Sequence, residues 1–203
     1  GLAEGWNLLR WINDEVDAYN PAAITIAEDL RNDEAITAKT GDGGAGFNAQ
    51  WDAGFVHPVR EALIAAEDIH RNMLSVAAAI TNRYNDDAFR RVIYTESHDE
   101  VANGKARVPE EVWPQNADSL FAKKRSTLGA GLVFTSPGIP MIFQGQELLE
   151  DGWFDDSQPL DWSKLERFQG IYCLYAELFK LRRNAYDSTR GLAGQHVQVH
   201  HVN

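Results

Sequence analysis

The stretch Arg90–Glu100, RRVIYTESHDE, carries a β-branched and aromatic segment (Val92, Ile93, Tyr94, Thr95) straight into Glu96, Ser97, His98, Asp99 and Glu100. A short apolar run of this composition reads as a buried strand, here RVIYTE (91–96). Its polar terminus predicts a sheet edge where chemistry is done. The same form recurs on both sides. AITIA (23–27) is closed by Glu28-Asp29, IPMIF (139–143) is closed by Gln144 to Glu147, and FNAQW (47–51) leads into Asp52. Residues between these runs have helical spacing: 4–18, 57–68 and 69–84 (two patterns or one broken helix), 117–132 and 164–184. Strand and helix in alternation predict βα units and a parallel sheet, an α/β fold buried on both faces. In such sheets the functional groups collect at the carboxyl ends of the strands. The tail HVQVHHVN (196–203) alternates as a further strand would.

The chain has 203 residues, 44% hydrophobic and 24% charged, enough for one domain with a real core. Its net charge of −11 argues against nucleic acid, whose phosphates require stripes of Lys and Arg. The lone Cys173, within IYCLYAELF, reads as a core residue in a reducing, cytoplasmic compartment. No apolar run approaches the ~20 residues that span a bilayer. His196, His200 and His201 lack partners at ligand spacing, and Asp151, Asp155 and Asp156 do not form an EF-hand loop, so no metal is expected. TGDGGAG (40–46) lacks the Gly-Lys-Ser/Thr of a phosphate loop and reads as a flexible connector; no cofactor is implied.

Two carboxylates around one cleft are what acid/base work on a glycosidic bond requires. Glu28 and Asp99 stand at different strand ends, His98 offers a donor to a sugar hydroxyl, and Trp51, Trp113, Trp153 and Trp162 offer flat faces to sugar rings. Each has a plainer alternative: Glu28 paired with Arg31, Asp99 paired with His98, the tryptophans as lids on the core. On residue types alone Glu28 would be the acid and Asp99 the nucleophile.

IAEDL, GFNAQWDAGFVHPVREAL, YTESHDE and IPMIFQGQELLEDGWFDDSQPLDW resemble, in this order, the second half of the α-amylase family of glycoside hydrolases and transglycosylases, and within it the 1,4-α-glucan (glycogen) branching enzymes. The resemblance implies the second half of a (β/α)8 TIM barrel over residues 1–190, with 191–203 the start of a C-terminal β-sandwich. It implies that Glu28 is the general acid/base. His98 and Asp99 would bind the distorted sugar and stabilise the transition state, and Gln144 to Glu147 (Gln144, Gln146 and Glu147 by side chain) would line the site. The substrate would be an α-1,4-glucan such as glycogen, starch or maltooligosaccharides. In the family the nucleophile is an aspartate ending the fourth strand in a Gly-Phe-Arg-x-Asp pattern, which does not occur in these 203 residues; Phe89-Arg90 is followed by Arg91-Val92. The expectation is therefore half of an active site, inactive alone, with open sheet edges that favour a homodimer. Glu100 and VANGKARVPEE depart from the usual branching-enzyme continuation. Hydrolysis of the amylase or trehalose-releasing kind is the alternative reaction, and a non-catalytic glucan-binding half-barrel the alternative class.

Overall fold

A computed structural model describes residues 2–203. Helix α1 (Ala3–Tyr19) precedes strand β1 (Ile26–Ala27), and β2 (Ala49–Trp51) leads into α2 (Ala53–Ile64) and α3 (Met73–Thr81). Strand β3 (Arg91–Ile93) is followed by α4 (Val108–Val112) and α5 (Leu120–Thr135). Strand β4 (Ile139–Pro140) precedes α6 (Lys164–Arg167) and α7 (Gln169–Arg182). All three strand pairings are parallel, and the order in the sheet is β1-β2-β3-β4. Sequential order is what separates a barrel sector from a doubly wound sheet. With no reversal of strand order there is no switch point, and crossovers of one hand put the crossover helices on the same face.

Alternation along the strands assigns two faces. Ile93 points to the helices, in the main core with Phe55 and Val59 of α2, Val133 and Phe134 of α5, and Leu178 of α7. Val92 and Tyr94 point the other way and pack with Ala49, Trp51 and Met141. The helix-side core also encloses an ion pair. Arg91, at the start of β3, donates to Asp52 at 3.0 Å with both side chains fully buried, and the Tyr84 hydroxyl donates to the same carboxylate at 3.0 Å. Arg91 donates further to the carbonyls of Ala79, Ile80 and Pro137, so its charge and its donors are largely satisfied. Asp52 thus leaves the polar rim and joins α2, α3 and the β4 approach to the sheet.

Several sequence expectations shift. The paired strands are shorter than the apolar runs, because ladder partners are found at one end of each run only: the last residues of 23–27 and 47–51 and the first of 91–96 and 139–143. Residues 57–84 form two helices separated by a turn at Asp68–His70, and the last helix breaks at Phe168. Residue Ser119 caps α5, accepting from the Ala122 amide at 3.2 Å, which sets that helix three residues later than the periodicity suggested. The glycine cluster is anchored: Arg10 donates to the carbonyls of Gly43 and Gly44, and Asn13 donates to Ala45 at 2.8 Å. A side chain at Gly44 would collide with the Ala38 carbonyl, so glycine there is set by close packing of the loop on its own backbone. Cys173 is exposed, because α7 turns Tyr175 and Leu178 inward and leaves Cys173 on the outer side. Residues 196–203 form no strand. No described helix is long and apolar enough to cross a membrane.

Candidate active site

The carboxyl ends of β1 and β3 bring Glu28, His98 and Asp99 together. His98 Nε2 lies 3.5 Å from Glu28 Oε1 and 3.5 Å from Asp99 Oδ1. One ligand atom from each of the three residues lies within 4.8 Å of the others, and all three side chains are exposed. At 3.5 Å these contacts are long for hydrogen bonds, so both carboxylates keep lone pairs open to a ligand. Arg31 does not take Glu28; it pairs with Asp29 at 2.7 Å and holds that carboxyl below its ordinary range. Trp51 forms one wall. Its ring is 6.0 Å from His98 and 5.2 Å from Tyr94, edge-on to both. The Tyr94 hydroxyl is buried below the cluster with no hydrogen-bond partner among the described residues. Burial raises its pKa first, and the carboxylates of Glu100, Asp52, Glu28 and Asp99 raise it further.

The other polar groups ending β3 serve differently. Glu96 is fully buried, accepting from the Val108 amide at 2.7 Å and from Arg107 at 3.2 Å. Burial pushes its pKa up, and Arg107 opposes the push. Arg107 also donates to the Gln144 carbonyl at 2.8 Å and lies 4.8 Å over the Phe143 ring. One buried pair therefore fastens the loop after β3 to the loop after β4. Glu100 is held between His57 and Lys105, each at 3.1 Å. Burial raises its pKa, but the hydrogen bond and charge of Lys105, with His57, prevail and leave it below the ordinary value.

Of the β4-end residues, Gln144 presents its side chain to solvent on the rim. Gln146 is turned inward. Its amide donates to Thr95 Oγ1 at 3.0 Å, and its carbonyl accepts from the Phe143 amide at 2.7 Å. Both ends are occupied, which corrects the expectation that Gln146 meets a ligand: Gly145, at φ +89°, turns the chain so that residue 146 faces the core. Glu147 accepts from the Gly145 amide at 3.1 Å and braces the same turn. Sequence reasoning missed Tyr94 and the Arg107 clamp. Tyr94 read only as part of a strand, and Arg107 lies in a loop with no periodic signal.

Among the described residues the carboxylate cluster is the one grouping with the spacing of a cation site. Its chemistry fits acid/base work equally well, and exposed acidic groups often stand together without an ion.

The fold and site define a class: a sector of a (β/α)8 barrel with a cluster of two carboxylates and a histidine at the carboxyl ends of its strands. The sequence is similar over most of its length to bacterial 1,4-alpha-glucan branching enzymes. It is 33% identical over 179 residues to that of Oceanobacillus iheyensis, covering 83% of this chain and 26% of the relative. To that of Corynebacterium jeikeium it is 30% identical over 199 residues, covering 93% and 26%. The chain spans about a quarter of the length of these relatives. Among solved structures it resembles a pullulanase complexed with maltotetraose from an Anoxybacillus species, with a TM-score of 0.64 at 19% identity over 91% of this chain and 31% of that one. An Anoxybacillus alpha-amylase gives a TM-score of 0.57 at 20% identity, covering 88% and 38%. These structures establish the fold. No family model matches the chain.

Proposed function

We propose that this chain supplies the acid/base and sugar-holding part of a retaining α-1,4-glucan active site, and that the reaction is branching. Glu28 protonates the glycosidic oxygen as the C–O bond breaks, while an aspartate outside these residues takes the anomeric carbon as a glycosyl ester. Glu28, now a carboxylate, removes the proton of an acceptor hydroxyl on a second glucan as that oxygen displaces the ester. His98 donates to a hydroxyl of the distorted sugar, and Asp99 stabilises the positive charge that develops at the ring. Gln144 contacts the glucan at the rim. The observation that carries this reading is the convergence of Glu28, His98 and Asp99 within 4.8 Å at two strand ends, with neither carboxylate paired with a Lys or Arg among the described residues.

The test is product analysis on amylose with the whole protein. New α-1,6 branch points, lost on Glu28→Gln, are expected; shortened chains alone would make it a hydrolase. The 203-residue chain by itself should bind maltooligosaccharides without turning them over. Turnover by that chain, abolished in Glu28→Gln, would overturn the assignment of the nucleophile elsewhere.

Residues 1–190 then form the barrel part and 191–203 begin the following β-domain, in a protein of the cytoplasm, where a lone exposed thiol stays reduced. The 203-residue chain also self-associates in this reading, as a homodimer. Leu8, Trp11, Ile12 and Tyr19 of α1, with Ile24 and Ile26 at the edge strand, are uncovered, and such a surface beside an open sheet edge favours association. A monodisperse monomer in light scattering would exclude it.

A further inference from the structure

A second aromatic feature stands apart from the carboxylate cluster. Trp153 is 64% exposed, yet the backbone on either side of it is fixed. The Phe154 amide donates to the Val101 carbonyl at 2.6 Å, and the Arg107 amide donates to the Gly152 carbonyl at 2.7 Å. These two bonds cross from the loop after β4 to the loop after β3, so an exposed indole is presented by rigid main chain at both neighbours. Burial of its ring would be the ordinary outcome for so large an apolar side chain. Here the ring borders an open cleft of about 700 Å³ that is also lined by Asn103, Lys105, Glu110, Glu111 and Pro114. The cleft's acids are partly engaged: Glu111 accepts from the Ala106 amide and Glu110 from the Gln115 amide, each at 2.8 Å through one oxygen. Lys105 is tied to Glu100 at 3.1 Å.

We infer that this cleft is a second sugar-binding site, in which Trp153 stacks on a pyranose ring while Asn103, Glu110 and Glu111 bond its hydroxyls. Glu111 also lies 4.0 Å from Arg60, but that guanidinium is buried, does not line the cleft and donates to the Thr95 and Ala106 carbonyls. Two carboxylates on the cleft wall against one already paired lysine disfavour an anionic ligand such as a phosphate or nucleotide. The same acceptors disfavour a purely apolar one, because they would lose water without a donor in return. A neutral polyhydroxylated ring meets both demands, with C–H faces for the indole and O–H donors for the carboxylates. The site lies between the loops that follow β3 and β4, and the former loop also carries His98 and Asp99, so its ligand is a further stretch of α-glucan. That last step rests on the reading of the carboxylate cluster; the sugar-ring chemistry of the cleft does not.

The experiment is nitrogen-15 NMR of the indole N–H groups in the 203-residue chain, which has six tryptophans. Trp153 and Trp51 are assigned with Trp153→Phe and Trp51→Phe, and maltoheptaose is titrated in, with cellopentaose as the β-linked control. The Trp153 resonance is expected to shift saturably with maltoheptaose and far less with cellopentaose. Trp51, beside His98, reports the proposed catalytic centre independently. In Trp153→Ala the Trp51 shift should persist at unchanged thermal stability, while the part of the binding reported at Trp153 is lost. A static Trp153 with a moving Trp51 overturns this inference and leaves the proposed function standing. A moving Trp153 with a static Trp51 supports the second site and counts against the catalytic one. Equal shifts with cellopentaose overturn the α-glucan assignment, and two static resonances overturn both readings.

Discussion

Glu96 and Glu100 can be set against Glu28 and Asp99, four carboxylates of one rim. The first two are buried and held by side chains and an amide of neighbouring segments: Arg107 and the Val108 amide for Glu96, Lys105 and His57 for Glu100. The second two are exposed, with only a long contact to a shared histidine. A carboxylate whose lone pairs are already accepted holds structure together, whereas one left open beside a similar neighbour is available for a proton or a sugar. Neighbouring positions in sequence therefore separate into a clamp and an open cluster.

The comparison is tested most severely at Glu28. Glu28→Gln in the whole protein should lower turnover of amylose by about 10²–10⁴-fold, the usual contribution of a general acid/base, with an unchanged urea midpoint. A comparable loss of stability would mean that Glu28 belongs with the structural carboxylates. Arg107→Ala should do the opposite. It strips the cation from fully buried Glu96 and should cost about 3–5 kcal/mol in urea unfolding, as expected when one partner of a buried pair is removed. A loss below ~1 kcal/mol would show that the clamp contributes little.

Glu100 gives the pH signature. Its folded pKa lies below its ordinary value of 4.5, through Lys105 and His57 acting against burial. The stability it confers is therefore complete above that value and is lost as pH falls through 4.5 toward the folded pKa. Glu100→Gln should separate from the parent chain in urea midpoint near neutral pH, and the gap should narrow in acid. A gap constant across the acid range would contradict the pairing. The smallest effect is expected at Cys173, where Cys173→Ser on the exposed side of α7 should stay within about 0.5 kcal/mol in thermal unfolding; a large loss would restore the core reading.

The α/β class, the four strand positions and the polar rim were legible in the sequence, because apolar runs and helical spacing are local properties of the chain. Glu28, His98 and Asp99 were legible as candidates because each directly follows or ends such a run. The roles of Gln146 and Cys173 were not. The direction a side chain takes depends on a turn at Gly145 in one case and on the rotational setting of α7 in the other. The flexible reading of residues 40–46 failed for a related reason: glycine marks close approach as readily as freedom, and only the position of α1 distinguishes the two.

By itself the sequence determined that strands and helices alternate and that ionisable groups gather at the strand ends. The tertiary structure decided the sequential strand order, which makes the sheet a barrel sector, and it decided which acids were left open. Asp52 is paired with Arg91, Glu96 with Arg107, and Glu100 with Lys105 while also contacting His57. Those partners lie from five to 43 residues away in the chain. Charge pairing acts through space and is strongest where water is excluded, so the fold selects which carboxylates stay open on a rim whose composition the sequence had already set.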